Sequence, residues 1–208
     1  MTPISIITPW HNCSELCQIY EPSHQHAEII TIDNASEPEH ATRIKAMTER
    51  MHGWYIPNKT NNKFAQANNQ GYKYATKNII MFLNSDTAAS SGWVYQVEDD
   101  VKDGALYGVS SDARMIDDRI YPYIEGWCIA ATRATWNKVG LWDETLPGMY
   151  WEDNILCLQA LKAGIRLETR AWPVKHISNY TTNRTPGALD GVAGNQRRFE
   201  EMVRAWQR

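Results

Sequence analysis

Short apolar runs that stop at polar or turn-forming residues recur along this chain. The clearest is IIMFL at residues 79–83, followed at once by Asn84-Ser85-Asp86, the pattern of a strand buried on both faces of a parallel sheet. Residues 4–8 stop at Pro9, residues 28–32 at Asp33-Asn34, and residues 54–56 at Pro57, which predicts three further strands. Helical stretches are expected over 37–51, 63–77, 92–101, 133–139 and 154–163, with Gly140 and Gly164 as stops. In the last of these, Ile155, Leu158 and Leu161 share one face. Strands alternating with helices at this spacing predict βαβ units and a single α/β domain over 1–208, its mostly parallel, Rossmann-like sheet flanked by helices. Residues 104–123 show no regular period, so we divide the domain there, into halves 1–115 and 116–208. Residues 173–177 read as a late extended piece. Residues 195–208 read as a basic amphipathic helix that packs its Phe199, Met202, Val203 and Trp206 face on the domain.

Composition narrows the class. A chain of 208 residues with 43% hydrophobic positions can build a sizeable core. A mean hydropathy of -0.52, with no apolar run of membrane-spanning length, predicts a soluble protein. The formal charge of -3 gives no general attraction to nucleic acid. Cys13, Cys17, Cys128 and Cys157 are scattered without a Cys-x-x-Cys pair, which fits reduced thiols better than a disulfide framework or a zinc site. The first residues enter a strand pattern directly, without the features of a signal peptide. Together these readings predict a cytoplasmic location. Nine Trp and ten Tyr against three Phe suit a cleft that is partly wet. His24 and His26, in His-x-His spacing, read as loop residues at the surface.

Candidate chemistry sits at the strand ends, because ligands of open α/β sheets bind beyond the carboxyl ends of strands. Asp86 is placed to hold a hard cation, which takes one or two carboxylates plus substrate oxygens. Asn84-Ser85-Asp86 also has the composition of a capping turn, and Asp33-Asn34-Ala35-Ser36 that of an Asx turn. His176 suits either a metal ligand or a satisfied buried histidine. Glu152-Asp153 opens a helix, where acids favour the positive end, and an aspartate there is also a candidate general base.

Four blocks in order resemble glycosyltransferase family 2, inverting enzymes of the GT-A fold, and within it a rhamnosyltransferase-like branch. They are ISIITPWHN from Ile4, ITIDNAS from Ile30, FAQANNQGYKYATKNIIMFLNSDT from Phe64, and GWCIAATRATWNKVGLWDETLPGMYWEDNILCLQALKAGIRL from Gly126. The resemblance implies a nucleoside-diphosphate sugar as donor, UDP- or dTDP-linked, and a hydroxyl acceptor. It implies Mn²⁺ or Mg²⁺ at Asp86, with Asn84 replacing the first acid of the fuller motif and His176 reaching the metal or the leaving phosphate. Asp33 would bond the donor base above a floor of Thr8 and Pro9. Asn69, Ser85 and Asn84 would lie on the donor side. Lys63 stands where the family often has Gly and would reach the phosphates as a point charge. Asp153 would be the base, with Glu152 binding acceptor or donor sugar. Gly126 would let substrate approach the backbone, and Trp127, Trp142 or Trp151 would be sugar platforms.

Other readings are a nucleotidyltransferase or phosphatase, which lacks a Gly-rich phosphate loop here, and a non-catalytic sugar-binding domain. A phage-type enzyme that modifies a DNA base is a further alternative, favoured only by the Arg-bearing tail.

Overall fold

The structure is a computed structural model and describes residues 2–147, 149–177, 180 and 189–207. Its strands are β1 (Ile4–Trp10), β2 (Glu28–Asp33), β3 (Trp54–Pro57), β4 (Ile79–Leu83), β5 (Thr87–Ala89), β6 (Ala105–Gly108), β7 (Ser111–Ile116), β8 (Arg119–Ile124), β9 (Cys128–Thr132), β10 (Arg166–Thr169) and β11 (Val174–His176). Its helices are α1 (Cys17–Ser23), α2 (Pro38–Arg50), α3 (Lys63–Tyr72), α4 (Trp93–Asp100), α5 (Arg133–Val139), α6 (Glu152–Lys162) and α7 (Val192–Gln207). Seven strands form one sheet in the order β10-β6-β9-β4-β1-β2-β3. Neighbours run parallel except β9, which is antiparallel to both β4 and β6. The chain steps from β1 outward to β3, then returns to place β4 on the other side of β1. The carboxyl ends of β1 and β4 therefore flank a topological switch point.

Alternation along the strands divides the core into two layers. Ile4, Ile6, Ile79, Met81 and Leu83 face one side, packed with Tyr20, Ile44, Met47, Trp93 and Val97. Ile7, Ile80 and Phe82 face the other, against Ala67, Trp136, Leu156 and Ala160. A smaller cluster joins Ile155 and Leu158 of α6 to Phe199 and Val203 of α7 and to Tyr121 of β8. The tail helix packs on the domain as expected, although Trp206 keeps 44% of its surface exposed and Arg208 lies outside the described residues. The four cysteines are buried free thiols. Among the described residues no helix is long and apolar enough to cross a membrane.

Several expectations need correction. Residues 105–124 are regular: β6 joins the main sheet, and β7 and β8 form a hairpin. Its two-residue loop, Asp117-Asp118, has φ 48° and 60°, the left-handed pair of a type I′ turn that usually selects Asn-Gly. The proposed boundary between residues 115 and 116 falls inside β7. Helix α3 stops at Tyr72 rather than Lys77, where Arg133 binds the Ala75 and Lys77 carbonyls and holds the following turn. His24 is fully buried, not on the surface. Its ring lies 4.2 Å from that of Tyr20, Nδ1 accepts from Trp93 Nε1 at 3.2 Å, and burial pulls its pKa down to about 3. His26 is exposed as expected.

Helix α3 crosses β1 closely because Gly71 has no side chain: a Cβ there would lie 2.3 Å from Ile7 Cγ2. We predict that Gly71→Ala destabilises the protein by about 1–3 kcal/mol, the usual cost of overpacking. In chemical denaturation, Gly71→Ala combined with Ile7→Ala should lose less than the sum of the two single changes. Strict additivity would show that this contact does not set the helix–strand spacing.

Candidate active site

Beyond β4 the chain turns sharply and pairs β5 with β11, placing His176 opposite Thr87. The Ile177 amide donates to the Asp86 carbonyl at 2.8 Å. This small sheet brings His176 Nε2 to 3.0 Å from Asp86 Oδ1 and 3.5 Å from Asn84 Nδ2. Asp86 is almost wholly buried, whereas the His176 side chain is 20% exposed. Thr87 Oγ1 closes the turn onto the Asn84 carbonyl at 2.8 Å, so the capping role and the ligand arrangement coexist. Among the described residues no three His, Cys, Asp or Glu converge. The pair still fits a hexacoordinate cation: two adjacent oxygen or nitrogen ligands at about 2.1 Å from an ion are themselves about 3 Å apart, as these two are. The remaining positions would fall to substrate oxygens and water.

The second acidic site is tied to the first through Gly126 and Trp127. The Gly126 amide donates to Asp153 Oδ2 at 3.0 Å. The Trp127 carbonyl accepts from the Asn84 amide at 2.8 Å. The Trp127 indole stacks on the His176 ring, with centroids 5.0 Å apart and planes 8° from parallel. Its Nε1 donates to Glu125 Oε2 and Ser110 Oγ. One dipeptide therefore touches both the Asp86–His176 pair and Asp153.

Asp153 Oδ1 also accepts from the Asn154 amide at 2.9 Å. Burial raises its pKa, while the Gly126 and Asn154 N–H groups and the Arg114 charge oppose that rise. Glu152 is 8% exposed, and burial pushes its carboxyl up to about 8. Only its own backbone N–H counters this, and the Asp153 charge adds to the rise. The surroundings thus favour ionised Asp153 over ionised Glu152. Tyr150 and Trp151, immediately before them, both have left-handed φ, 67° and 71°, uncommon for bulky residues and concentrated at functional sites.

The other predicted residues divide. Asp33 is buried and accepts from the Ser36 amide at 3.0 Å and from the Tyr55 hydroxyl, so the Asx turn is present. Pro9 is half-buried at the end of β1. Thr8 is fully buried, its Oγ1 2.6 Å from the Tyr20 hydroxyl. Asn69 pins α3 to the loop before α6, bonding both backbone groups of Trp142 and Glu144 Oε1. Lys63 Nζ donates to the Pro147 carbonyl at 2.6 Å. Ser85 is buried, 3.5 Å from Cys13 Sγ. Beside Gly126 sits Asp153, whose Cβ would lie 3.1 Å from an added Cβ. Trp142 is core, edge-on to Phe64 and Phe82, and Trp127 has one face covered by His176. Of the three tryptophans, Trp151 is the one that stays half-buried.

Sequence reasoning missed Asn34 and Arg114. Asn34 accepts from Asn58 Nδ2 and the Asn62 amide, and donates to Asn61 Oδ1 and the Lys63 carbonyl. It knits the end of β2 to the start of α3. Its signal was its place in Asp33-Asn34. Arg114 lies in β7, a strand with no sequence signal.

The profile described as glycosyl transferase family 2 matches residues 5–151. The chain belongs to that family. No curated protein matches this family 2 chain. Solved structures share its fold. Mannosyltransferase PcManGT from Pyrobaculum calidifontis, in complex with GDP-Man and Mn²⁺, superposes with a TM-score of 0.63 at 15% identity, over 81% of this chain and 55% of that one. GalNAc-T7 with UDP, GalNAc and Mn²⁺ gives 0.67 at 13%, over 85% and 44%. S. aureus TarS gives 0.63 at 12%, over 82% and 35%. The family 2 chain thus spans about half or less of the length of these proteins, and has the GT-A fold.

Glu152 has a stability consequence. Its carboxyl rises from an ordinary 4.5 to about 8 on folding, so between those values the folded state holds a proton that the unfolded chain has lost. Stability therefore falls as pH rises through this window. Glu152→Gln should flatten that fall in thermal unfolding followed from pH 5 to pH 8 (approximate limits set by the same linkage). An unchanged slope would mean that Glu152 ionises normally.

Proposed function

We propose that this domain transfers a sugar from a nucleoside-diphosphate sugar to a hydroxyl acceptor, with inversion. The observation that carries the reading is the Gly126–Trp127 link. It holds a half-buried carboxylate, fixed by two backbone N–H groups, beside an Asp–His pair at the switch point of the sheet. Family membership and the GT-A fold support the same conclusion.

In this reading Asp86 and His176 hold Mn²⁺ or Mg²⁺, and Asn84 lies beside them. The cation supplies charge neutralisation for the departing diphosphate. Asn84 in place of an acid leaves one negative charge fewer, so the cation is held well only together with the donor. Asp153 takes the proton of the acceptor hydroxyl as its oxygen attacks the anomeric carbon. Burial strengthens it as a base, and the Gly126 and Asn154 amides fix its direction. Glu152, protonated near neutrality, donates a hydrogen bond to a sugar oxygen. Asp33, at the end of β2, contacts the donor base, which favours UDP- or dTDP-sugars. Residues before β7 serve mainly the donor and those from β7 onward mainly the acceptor, except His176, which returns through β11 to the donor side. The motif blocks support a rhamnosyltransferase-like branch, with a glycan as acceptor.

The test is a thermal-shift screen of nucleoside-diphosphate sugars with and without Mn²⁺. One donor should raise the midpoint only when Mn²⁺ is present, because stabilisation follows ligand concentration over Kd. Asp86→Ala should abolish that response. Asp153→Asn should keep it while lowering turnover by at least about 100-fold, within the range set by loss of a general base. Absence of any Mn²⁺-dependent response would sink the proposal. Full turnover in Asp153→Asn would remove that residue from the base role.

A further inference from the structure

Arg114 is unlike the other half-buried arginines of this protein. Arg133 donates to two backbone carbonyls and Arg170 to Glu168. Arg114 donates a hydrogen bond to none of the described residues, and its nearest carboxylate oxygen, on Asp112, is 3.9 Å from Nη1. The guanidinium is held by two rings instead: Cζ lies 4.9 Å from the centroids of both Tyr123 and Trp151. Nε is buried without a partner, yet the side chain as a whole remains 38% exposed. Aromatic faces fix a guanidinium in place while leaving its N–H edge available. That edge suits paired oxygens of a carboxylate or phosphate, which bind guanidinium in its plane.

The position matters as much as the geometry. Trp151 directly precedes Glu152 and Asp153, and the Arg114 charge is felt at Asp153. An anionic acceptor brought to a carboxylate base is repelled unless a cation stands nearby. We propose that Arg114 binds an anionic group of the acceptor, carboxylate or phosphate oxygens, beside the hydroxyl that Asp153 deprotonates. The proposal rests on the reading of Asp153 as the acceptor-side base.

The probes are methyl glucuronide, glycerol phosphate and neutral methyl glucoside, titrated at constant ionic strength. Proton–nitrogen correlation NMR follows the Gly126 amide, which reports on Asp153. At least one anionic probe should bind about tenfold more tightly than the glucoside, the scale of one charge-assisted hydrogen bond. The stronger of the two identifies carboxylate or phosphate as the source. Arg114→Gln should remove the preference. Arg114→Lys, which keeps the charge but not the fork, should weaken it by at least about threefold and carries the test if the glutamine variant does not fold. Equal binding of all three probes, no binding of any, or an unchanged preference in the folded variants would overturn the assignment. The last result would leave Arg114 as a stabiliser of Asp153 alone. Donor response of the wild-type protein is read separately. Its absence would defeat the transferase reading, whereas the absence of an anion preference in the wild-type protein with donor response intact defeats only the role of Arg114.

Discussion

One antiparallel strand governs the layout of this site. A parallel neighbour of β4 would begin at the opposite edge of the sheet and send only its outgoing loop across the carboxyl ends. Because β9 is antiparallel, with Cys128 opposite Leu83, its incoming segment passes directly over the end of β4. Gly126 and Trp127 are delivered there by the register itself. From that point the Trp127 carbonyl fixes the Asn84 amide, the indole sets the plane of His176, and the Gly126 amide aims Asp153. Shifting this register by one residue would exchange the faces of β9 and undo all three contacts together.

Around this frame the loops hold costly backbone. Asn12, Ala35, Lys63, Tyr150 and Trp151 all have positive φ without being glycine. Each such residue costs about 1–2 kcal/mol in a left-handed conformation. The cost is offset by dense side-chain bonding at the ends of β1 and β2: Asn12 bonds Ser36 and Glu37, and Asn34 bonds four partners between Asn58 and Lys63. Loops tied this firmly hold their shape before any ligand arrives, which lowers the ordering cost of binding.

What the sequence made legible follows from burial. The strands β1, β2 and β4 announce themselves because both of their faces are covered, so they are rich in apolar residues, unbroken in β4 and interrupted only by Ser5, Thr8 and Thr31 in the other two, up to a turn-forming stop. Asp33 and Asp86 were legible at the ends of such strands, and Asp153 at the start of a helix. The hairpin β7–β8 was not, since one of its faces is open: Met115 and Ile120 are 71% and 69% exposed, and its turn is Asp-Asp rather than Asn-Gly. Arg114 was hidden with it. His24 shows the opposite failure. A His-x-His beside polar neighbours resembles a loop, and only the convergence of Tyr20, Trp93 and Thr87 from distant positions makes the first histidine part of the core. Which of the three tryptophans keeps an open ring was likewise not legible, because local sequence does not say which ring faces are already covered.

The stretch from Ile79 to Thr87 ends on a hydrogen bond that a proposed cation would have to replace. A buried Asp86 with no counter-charge would be expensive, and His176 Nε2 relieves that cost by facing Oδ1 at 3.0 Å. In the proposed reading Asp86 and His176 would hold the cation in place of that hydrogen bond, and the parallel stack on Trp127 restrains the imidazole from turning away. Asn84 then has a clear consequence. An aspartate at that half-buried position would add a second negative charge next to Asp86, which would favour a cation but oppose the folded protein without one. Asparagine leaves a single carboxylate in that turn, which is less costly to bury unliganded and would hold a cation less tightly. In the proposed reading, the missing charge is one that the two phosphates of a nucleotide sugar would supply, so ion and donor would be coupled by the charge balance of the site.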